Sequence, residues 1–182
     1  MSNSIKVLPH YTYDEYRKWE GRWELLEGIP YAMSPTPAPK HQRIVAKLHQ
    51  TFLNALDVAA CLDCTVYDFI DVKVEEDTIV QPDLLIVCNE ISKPYLDFPP
   101  NLVIEVLSPA TALKDRNNKF YIYQNFGIQY YVIVDIDSHE VEVYVLNKNG
   151  KYTLALPGDG TNSEIELTQN YRIRVDWSKL WN

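Results

Sequence analysis

Two acidic residues lie in segments that otherwise have the composition of buried β-strands. Asp83 lies near the start of the apolar run in "QPDLLIV", and Glu105 lies inside the apolar run of "PNLVIEVLSP". A carboxylate in such a segment must be paired, protonated or bound to a cation to offset the cost of its desolvation. If the two strands are neighbours, the two carboxylates can meet at one end of a sheet.

A divalent metal ion is one chemistry that this pair of carboxylates indicates. Mg²⁺ and Mn²⁺ prefer hard oxygen ligands and keep several of their water molecules. Such an ion can lower the pKa of a bound water and stabilise charge on a phosphate in the transition state. The alternative for Asp83 is a turn or cap carboxylate, and the alternative for Glu105 is a buried salt bridge, with Lys119 as a candidate partner.

The hydrophobic pattern predicts the elements that carry these residues. Thr12 and Glu15 form a capping box at the start of a short helix, and two brief strands flank Glu27. An amphipathic helix begins at about Lys40. The alternation in "CTVYDFIDVKVEED" predicts a strand, beside which "TIVQPDLLIV" can pair back as a second strand.

The second half of the chain has the pattern of a β-α-β unit. The nearly all-apolar "NLVIEVL" is typical of a central strand covered on both faces. A helix that ends at Gly127 joins it to "IQYYVIVDI" by a right-handed crossover. The segment "EVEVYVL" then pairs antiparallel with that strand, and "KYTLALP" and the last residues complete the edge of the sheet. The predicted fold is therefore α/β, with a mixed central β-sheet flanked by helices.

Length and composition predict one domain over residues 1–182. No apolar run approaches the roughly 20 residues that span a bilayer, and the start of the chain lacks the apolar segment of a signal peptide. We therefore expect a cytoplasmic protein without a membrane partner. The formal charge of -8 argues against a broad basic surface for nucleic acid, although it leaves room for a local patch. The three cysteines, Cys61, Cys64 and Cys88, are expected to be reduced, and one CxxC does not make a closed zinc site.

These motifs resemble those of the PD-(D/E)XK nuclease superfamily and, within it, the Uma2 group of restriction endonucleases. Pro82 and Asp83 supply the Pro-Asp pair, and Glu105 supplies the second acid. Further segments resemble the group in the same order: "WELLEGIPYAMSP", "HQRIVAKL", "PNLVIEVLSPAT" and "KDRNNKFYIYQNFGIQYYVIVD". The resemblance implies a restriction-endonuclease-like fold and a Mg²⁺-dependent or Mn²⁺-dependent DNA endonuclease whose metal is held by Asp83 and Glu105.

One position departs from the superfamily pattern, because the lysine expected two residues after the acid is Leu107 here. The resemblance to branches with a migrated lysine implies that Lys119, in the following helix, orients the attacking water and offsets charge at the phosphate. An ordinary exposed lysine is the alternative. Glu24 is implied as a further metal ligand, with Glu27 as a close alternative and a surface charge as another. His41 also matches the group and could contact phosphate, tune the metal site or cap its helix.

Partners follow from the same resemblance. Several basic residues could bind DNA phosphates or form a solvated face. They are Lys40, Arg43, Lys47, Lys114 and Arg116. Cleavage of both strands of a duplex favours a homodimer, with the tyrosine-rich strands near the end of the chain as the contact. The competing hypotheses are a non-catalytic member of the fold that binds nucleic acid or protein, and a hydrolase of another phosphoester.

Overall fold

Helices and strands follow one another in the general order that the hydrophobic pattern predicts. The structure is a computed structural model that describes residues 8–33, 37–156 and 161–182. The helical segments are α1 (Tyr13–Tyr16), α2 (Pro39–Val58), α3 (Ala112–Lys114), a π turn (Asp115–Lys119), α4 (Phe120–Phe126) and a 3-10 turn (Trp177–Leu180). The strands are β1 (Trp23–Leu26), β2 (Ile29–Ala32), β3 (Thr65–Tyr67), β4 (Val72–Glu75), β5 (Thr78–Val80), β6 (Leu84–Val87), β7 (Leu102–Val106), β8 (Tyr130–Asp135), β9 (Glu140–Leu146), β10 (Tyr152–Leu156), β11 (Asn162–Glu166) and β12 (Arg172–Asp176).

The larger sheet has six strands in the order β10-β9-β8-β7-β6-β3. Strand β7 lies inside it, antiparallel to β6 and parallel to β8. Every residue of β7 is buried, as expected of a strand covered on both faces. The predicted β-α-β unit is confirmed, because α3, the π turn and α4 join β7 to the parallel strand β8. The predicted mixed sheet is therefore confirmed as well.

Alternate residues of β7 face two separate apolar cores. Ile104 and Val106 pack in one core with residues of α2, including Phe52. Val103 and Leu107 pack in the other core, which contains Tyr123 of α4. Since residues two apart share a face, Glu105 points to the side of the sheet that α4 covers.

A second sheet, in the order β2-β1-β5-β4, separates segments that the pattern predicts as continuous strands. The prediction of one strand over "TIVQPDLLIV" is wrong, because β5 belongs to this sheet and β6 to the larger one. Pro82 lies in the break and has no backbone N–H to continue a ladder. The "CTVYDFIDVKVEED" segment divides in the same way into β3 and β4. Asp83 consequently lies where the chain passes from one sheet to the other.

The structure pairs Cys64 with Cys88 in a disulfide, so the expectation of reduced cysteines is wrong. Cys64 directly precedes β3, and Cys88 directly follows β6. Because Thr65 pairs with Val87 in the antiparallel ladder, the two cysteines extend the same ladder by one position. Cys61 is the free cysteine of the cluster.

The tyrosine-rich strands near the end of the chain pack on a helix of the same chain. The ring of Phe120 lies 6.1 Å from Tyr131, 5.0 Å from Tyr144 and 5.2 Å from Tyr152, measured between centroids. Such edge-to-face aromatic packing stabilises a core. These rings therefore have partners within the chain, and the homodimer stays a prediction. Within the described ranges, none of the helices has the length and apolar character needed to cross a membrane.

Candidate functional site

A cleft of about 700 Å³ opens beside the end of β7. Asp83, Glu105 and Lys119 all line it, together with His41 and Asp115. Glu24 is fully buried and contacts Lys119, which links β1 of the second sheet to the cleft. The structure thus brings the sequence-predicted acidic residues and Lys119 together from four different segments.

Strand pairing places Asp83 beside Glu105. Leu84 is opposite Ile104 in the antiparallel ladder of β6 and β7. Asp83, which precedes Leu84, therefore lies opposite Glu105, which follows Ile104. The two strands are therefore neighbours, which is the condition under which the two carboxylates meet. The backbone N–H of Val106 donates to Oδ2 of Asp83 at 2.9 Å, which fixes the orientation of this carboxylate.

The Lys119 ammonium lies among carboxylates. Its Nζ is 2.6 Å from Oε1 of Glu24 and 2.8 Å from Oε1 of Glu105, and the residue is only 2% exposed. The alternative of an exposed helix lysine is therefore wrong. Burial alone would lower the pKa of Lys119, but the negative charges of Glu105, Glu24 and Asp115 outweigh it and hold the pKa well above its ordinary value. Lys119 consequently remains a cation.

The pKa values of the two glutamates that contact Lys119 are displaced in opposite directions. Burial raises the pKa of Glu105 well above its ordinary value, and the Lys119 charge only partly opposes this. The Tyr123 hydroxyl also donates to Oε1 of Glu105 at 2.6 Å. Burial would raise the pKa of Glu24 too, but the ammonium groups of Lys119 and Lys114 outweigh it, so that this pKa is lowered. Glu24 is accordingly held as a carboxylate by two lysines.

Two further positions lie apart from the contacts of Lys119 with its glutamates. Glu27 was the alternative to Glu24, and Leu107 stands where the superfamily pattern has a lysine. Glu27 is exposed in the turn between β1 and β2, with a left-handed φ of 50°. Leu107 packs in an apolar core, where the superfamily pattern has its lysine. The lysine that contacts Glu105 thus comes from the π turn and not from β7.

Glu24, Asp83, Glu105 and Asp115 together form an acidic cluster around Lys119 and the cleft. Of these four acids, Asp115 is the one that sequence reasoning missed. It is 1% exposed, and its Oδ1 has no hydrogen-bond partner among the described residues while lying 3.6 Å from Nζ of Lys119. Burial raises the pKa of this carboxyl group. The signal was the spacing of four residues between Asp115 and Lys119, which puts both side chains on one side of a helix. A π turn spans these two residues, and such turns are frequent at functional sites.

His41 connects the first turn of α2 to the acidic cluster. Its Nε2 lies 3.0 Å from the carbonyl oxygen of Val106 and 3.2 Å from Oδ2 of Asp83. Burial would lower the pKa of His41, but the hydrogen bond to Asp83 and the charge of that carboxylate outweigh it and raise the pKa. The structure therefore places His41 against Asp83, and the carboxylate of Asp83 favours the protonated form of His41.

Replacing His41 should make the stability of the protein less dependent on pH in metal-free buffer. A raised pKa means that the contribution of His41 is fully present below the unfolded value of about 6.5 and is lost as pH rises through the folded value. The free energy of unfolding of wild type minus that of His41→Gln should therefore shrink with rising pH, as measured by urea denaturation. His49→Gln, which removes a half-exposed histidine 2.8 Å from Asp68, is the matched control with a smaller expected difference. A pH-independent difference for His41→Gln would contradict the positive charge on His41.

Most of the predicted basic row is engaged by other groups of the chain. Lys40 pairs with Asp137 at 3.0 Å, Lys47 donates to the carbonyl oxygen of Leu180 at 3.2 Å, and Arg116 pairs with Glu142 at 2.5 Å. Lys114 pairs with Glu24, as described above, whereas Arg43 is exposed. The interpretation as a solvated face therefore suits Lys40 and Arg43, whereas Lys114 lines the cleft.

The chain matches known proteins along most of its length. The family model described as "Uma2: Putative restriction endonuclease" matches residues 13–176. The "Uncharacterized protein slr1290" of Synechocystis is 31% identical over 157 residues, which cover 81% of this chain and 80% of that protein. A crystal structure described as "a putative nuclease belonging to DUF820" from Anabaena variabilis has a TM-score of 0.74 at 17% identity, covering 94% of this chain and 97% of that one. The likeness to that structure shows a shared fold.

Proposed function

The chain belongs to the Uma2 family of restriction-endonuclease-like proteins, and from this we propose that it is a metal-dependent DNA endonuclease that hydrolyses phosphodiester bonds. The observation that carries the proposal is the contact of Lys119 with Glu24 and Glu105 beside a cleft that Asp83 also lines. This arrangement supplies both the acids and the lysine that the superfamily pattern requires, although the lysine comes from the π turn. The predicted family and the predicted restriction-endonuclease-like fold are both confirmed by the comparisons.

In this proposal Asp83, Glu105 and Glu24 would hold Mg²⁺ or Mn²⁺, and Asp115 offers a further oxygen. The donor set fits, because carboxylate oxygens are the ligands that these ions prefer. Oδ1 of Asp115 lies 3.6 Å from the Lys119 ammonium and has no hydrogen-bond partner among the described residues, so it could accept a further contact from the ion or from its water. The bound ion would supply charge stabilisation at the phosphate and a lower pKa for the attacking water.

The side chains around the acids would orient and hold the reacting groups. Lys119 remains cationic and would donate to the attacking water and to the phosphate oxygens, where negative charge grows. The Tyr123 hydroxyl holds Glu105, and the Val106 N–H holds Asp83. Because these donors already hold the two acids in place, the site would not need to reorganise during the reaction.

A homodimer on duplex DNA is the remaining part of the proposal. Two copies related by a two-fold axis would bring one cleft to each strand, because the two backbones of a duplex are themselves related by two-fold symmetry. Elution of the protein as a monomer in gel filtration at micromolar concentration would argue against this assembly, while leaving the chemistry of one cleft as proposed.

Removal of metal should stop cleavage by the wild-type protein. Supercoiled and linear DNA should be nicked with Mg²⁺ or Mn²⁺ and left intact in EDTA, with re-addition of metal restoring the activity. RNA of the same sequence tests whether the substrate is DNA. If no nucleic acid is cut and calorimetry detects no Mn²⁺ binding near neutral pH, the protein is instead a non-catalytic binding member of the fold.

A further inference from the structure

Three cysteines, two from the turn after α2 and one directly after β6, converge at the ends of these elements. The sulfur atoms of Cys61, Cys64 and Cys88 all lie within 4.8 Å of one another. Cys61 and Cys64 are 7% and 8% exposed, and Cys88 is half-buried. The Cys61 backbone N–H donates to the carbonyl oxygen of Leu56 at 3.0 Å, which ties the turn to the last residues of α2. The cluster is thus built into the fold.

The Cys61 thiol is buried in the turn that holds both residues of the Cys-x-x-Cys pair. Burial raises the pKa of this thiol, and the nearby backbone amides of Cys64 and Asp63 only partly oppose that rise. A metal ion that binds this sulfur would therefore have to displace its proton.

We propose that, when the Cys64–Cys88 disulfide is reduced, these three cysteines form a thiolate site for Zn²⁺. Thiolates are preferred ligands of zinc, and three protein ligands leave a fourth position for water. Two equivalents of a monothiol reductant would break the S–S bond, leave one proton on each sulfur and become a disulfide themselves. Zinc would then displace three protons from the thiols.

The thiolate site is separate from the acidic cleft. Strand β6 begins after Asp83 and ends before Cys88, so roughly 17 Å of extended chain separates the two positions. The two sites also differ in chemistry, since oxygen donors select Mg²⁺ or Mn²⁺ and sulfur donors select zinc. Zinc binding at the cysteines therefore does not depend on whether the cleft is a nuclease site.

Titration of the reduced protein with Co²⁺ under nitrogen tests the proposal, because Co²⁺ can replace zinc and its bonds to thiolates give charge-transfer absorption. The wild type should bind one such Co²⁺ per chain, and Zn²⁺ should displace it. Cys61→Ser should weaken this binding by at least about 100-fold, since changes outside the ligand set alone cost 10- to 100-fold. Asp83→Asn is the matched control that should leave the charge-transfer absorption unchanged.

Alkylation of the reduced wild type provides a readout that does not depend on the folding of a variant. Zn²⁺ should slow the reaction of all three thiols with iodoacetamide together, as followed by mass spectrometry. The proposal is overturned if reduced wild type gives no thiolate absorption with Co²⁺, if the absorption survives Cys61→Ser, or if zinc protects none of the thiols.

Discussion

Lys119→Met should lower the rate of metal-dependent DNA cleavage by at least about 10²-fold and the free energy of unfolding by about 3–5 kcal/mol. The ammonium group lies within 2.8 Å of oxygens of both Glu24 and Glu105, where almost no water reaches it. Its removal would leave Glu105 buried without a cation and Glu24 paired with Lys114 alone. The cleavage rate is measured with Mg²⁺ at a temperature where the variant is folded, and stability is measured by urea denaturation in EDTA.

Lys93→Met is the matched control for this change. Lys93 also pairs with a carboxylate, that of Asp97, but the pair lies at the surface. A surface pair contributes little to stability, so both the cleavage rate and the free energy of unfolding should stay close to wild type. Cleavage at the wild-type rate by folded Lys119→Met would refute the role of this lysine.

Asp83→Asn should abolish binding of Mn²⁺ in the cleft and reduce cleavage by about 10³-fold or more. The charge stabilisation that a metal ion supplies is worth several kcal/mol, and each 1.4 kcal/mol is a factor of ten in rate. Asparagine has nearly the same shape and can still accept the hydrogen bond from the Val106 N–H, so the fold should persist. Calorimetric titration with Mn²⁺ and the DNA cleavage assay measure the two effects.

A second histidine–aspartate pair in the chain offers the control for Asp83. Asp68 lies 2.8 Å from Nδ1 of His49, much as Asp83 lies near His41, but it is outside the cleft. Asp68→Asn makes the same chemical change and should preserve both Mn²⁺ binding and cleavage. Equal losses in the two variants would indicate a general effect of removing a carboxylate.

The sequence predicted those features that depend on the burial of a segment or on the order of neighbouring helices and strands. Glu105 stands in an apolar run, and such a run predicts a buried strand with an acid that needs a partner. The β-α-β unit was predictable because a helical segment separates two apolar strands. The resemblance to nucleases with a migrated lysine supplied Lys119, which burial patterns alone could not distinguish from a surface lysine.

Other features depend on pairing between distant segments, which local patterns do not encode. The division of "TIVQPDLLIV" between two sheets is set by the partners of β5 and β6. The disulfide of Cys64 and Cys88 follows from the register of β3 against β6. Apart from its four-residue spacing from Lys119, Asp115 resembles any charged residue at the start of a helix, and its burial depends on the packing of the π turn beside the cleft.

The assembly of the acidic cluster from distant positions also bears on protein synthesis. Glu24 pairs with Lys114, 90 residues later, and Lys119 follows beyond that point. A growing chain exposes Glu24 and Asp83 to solvent well before Lys119 has left the ribosome. Any product of premature termination upstream of Lys119 lacks the ammonium and the second strand of the β-α-β unit. The complete cleft can therefore form only after most of the chain has been translated.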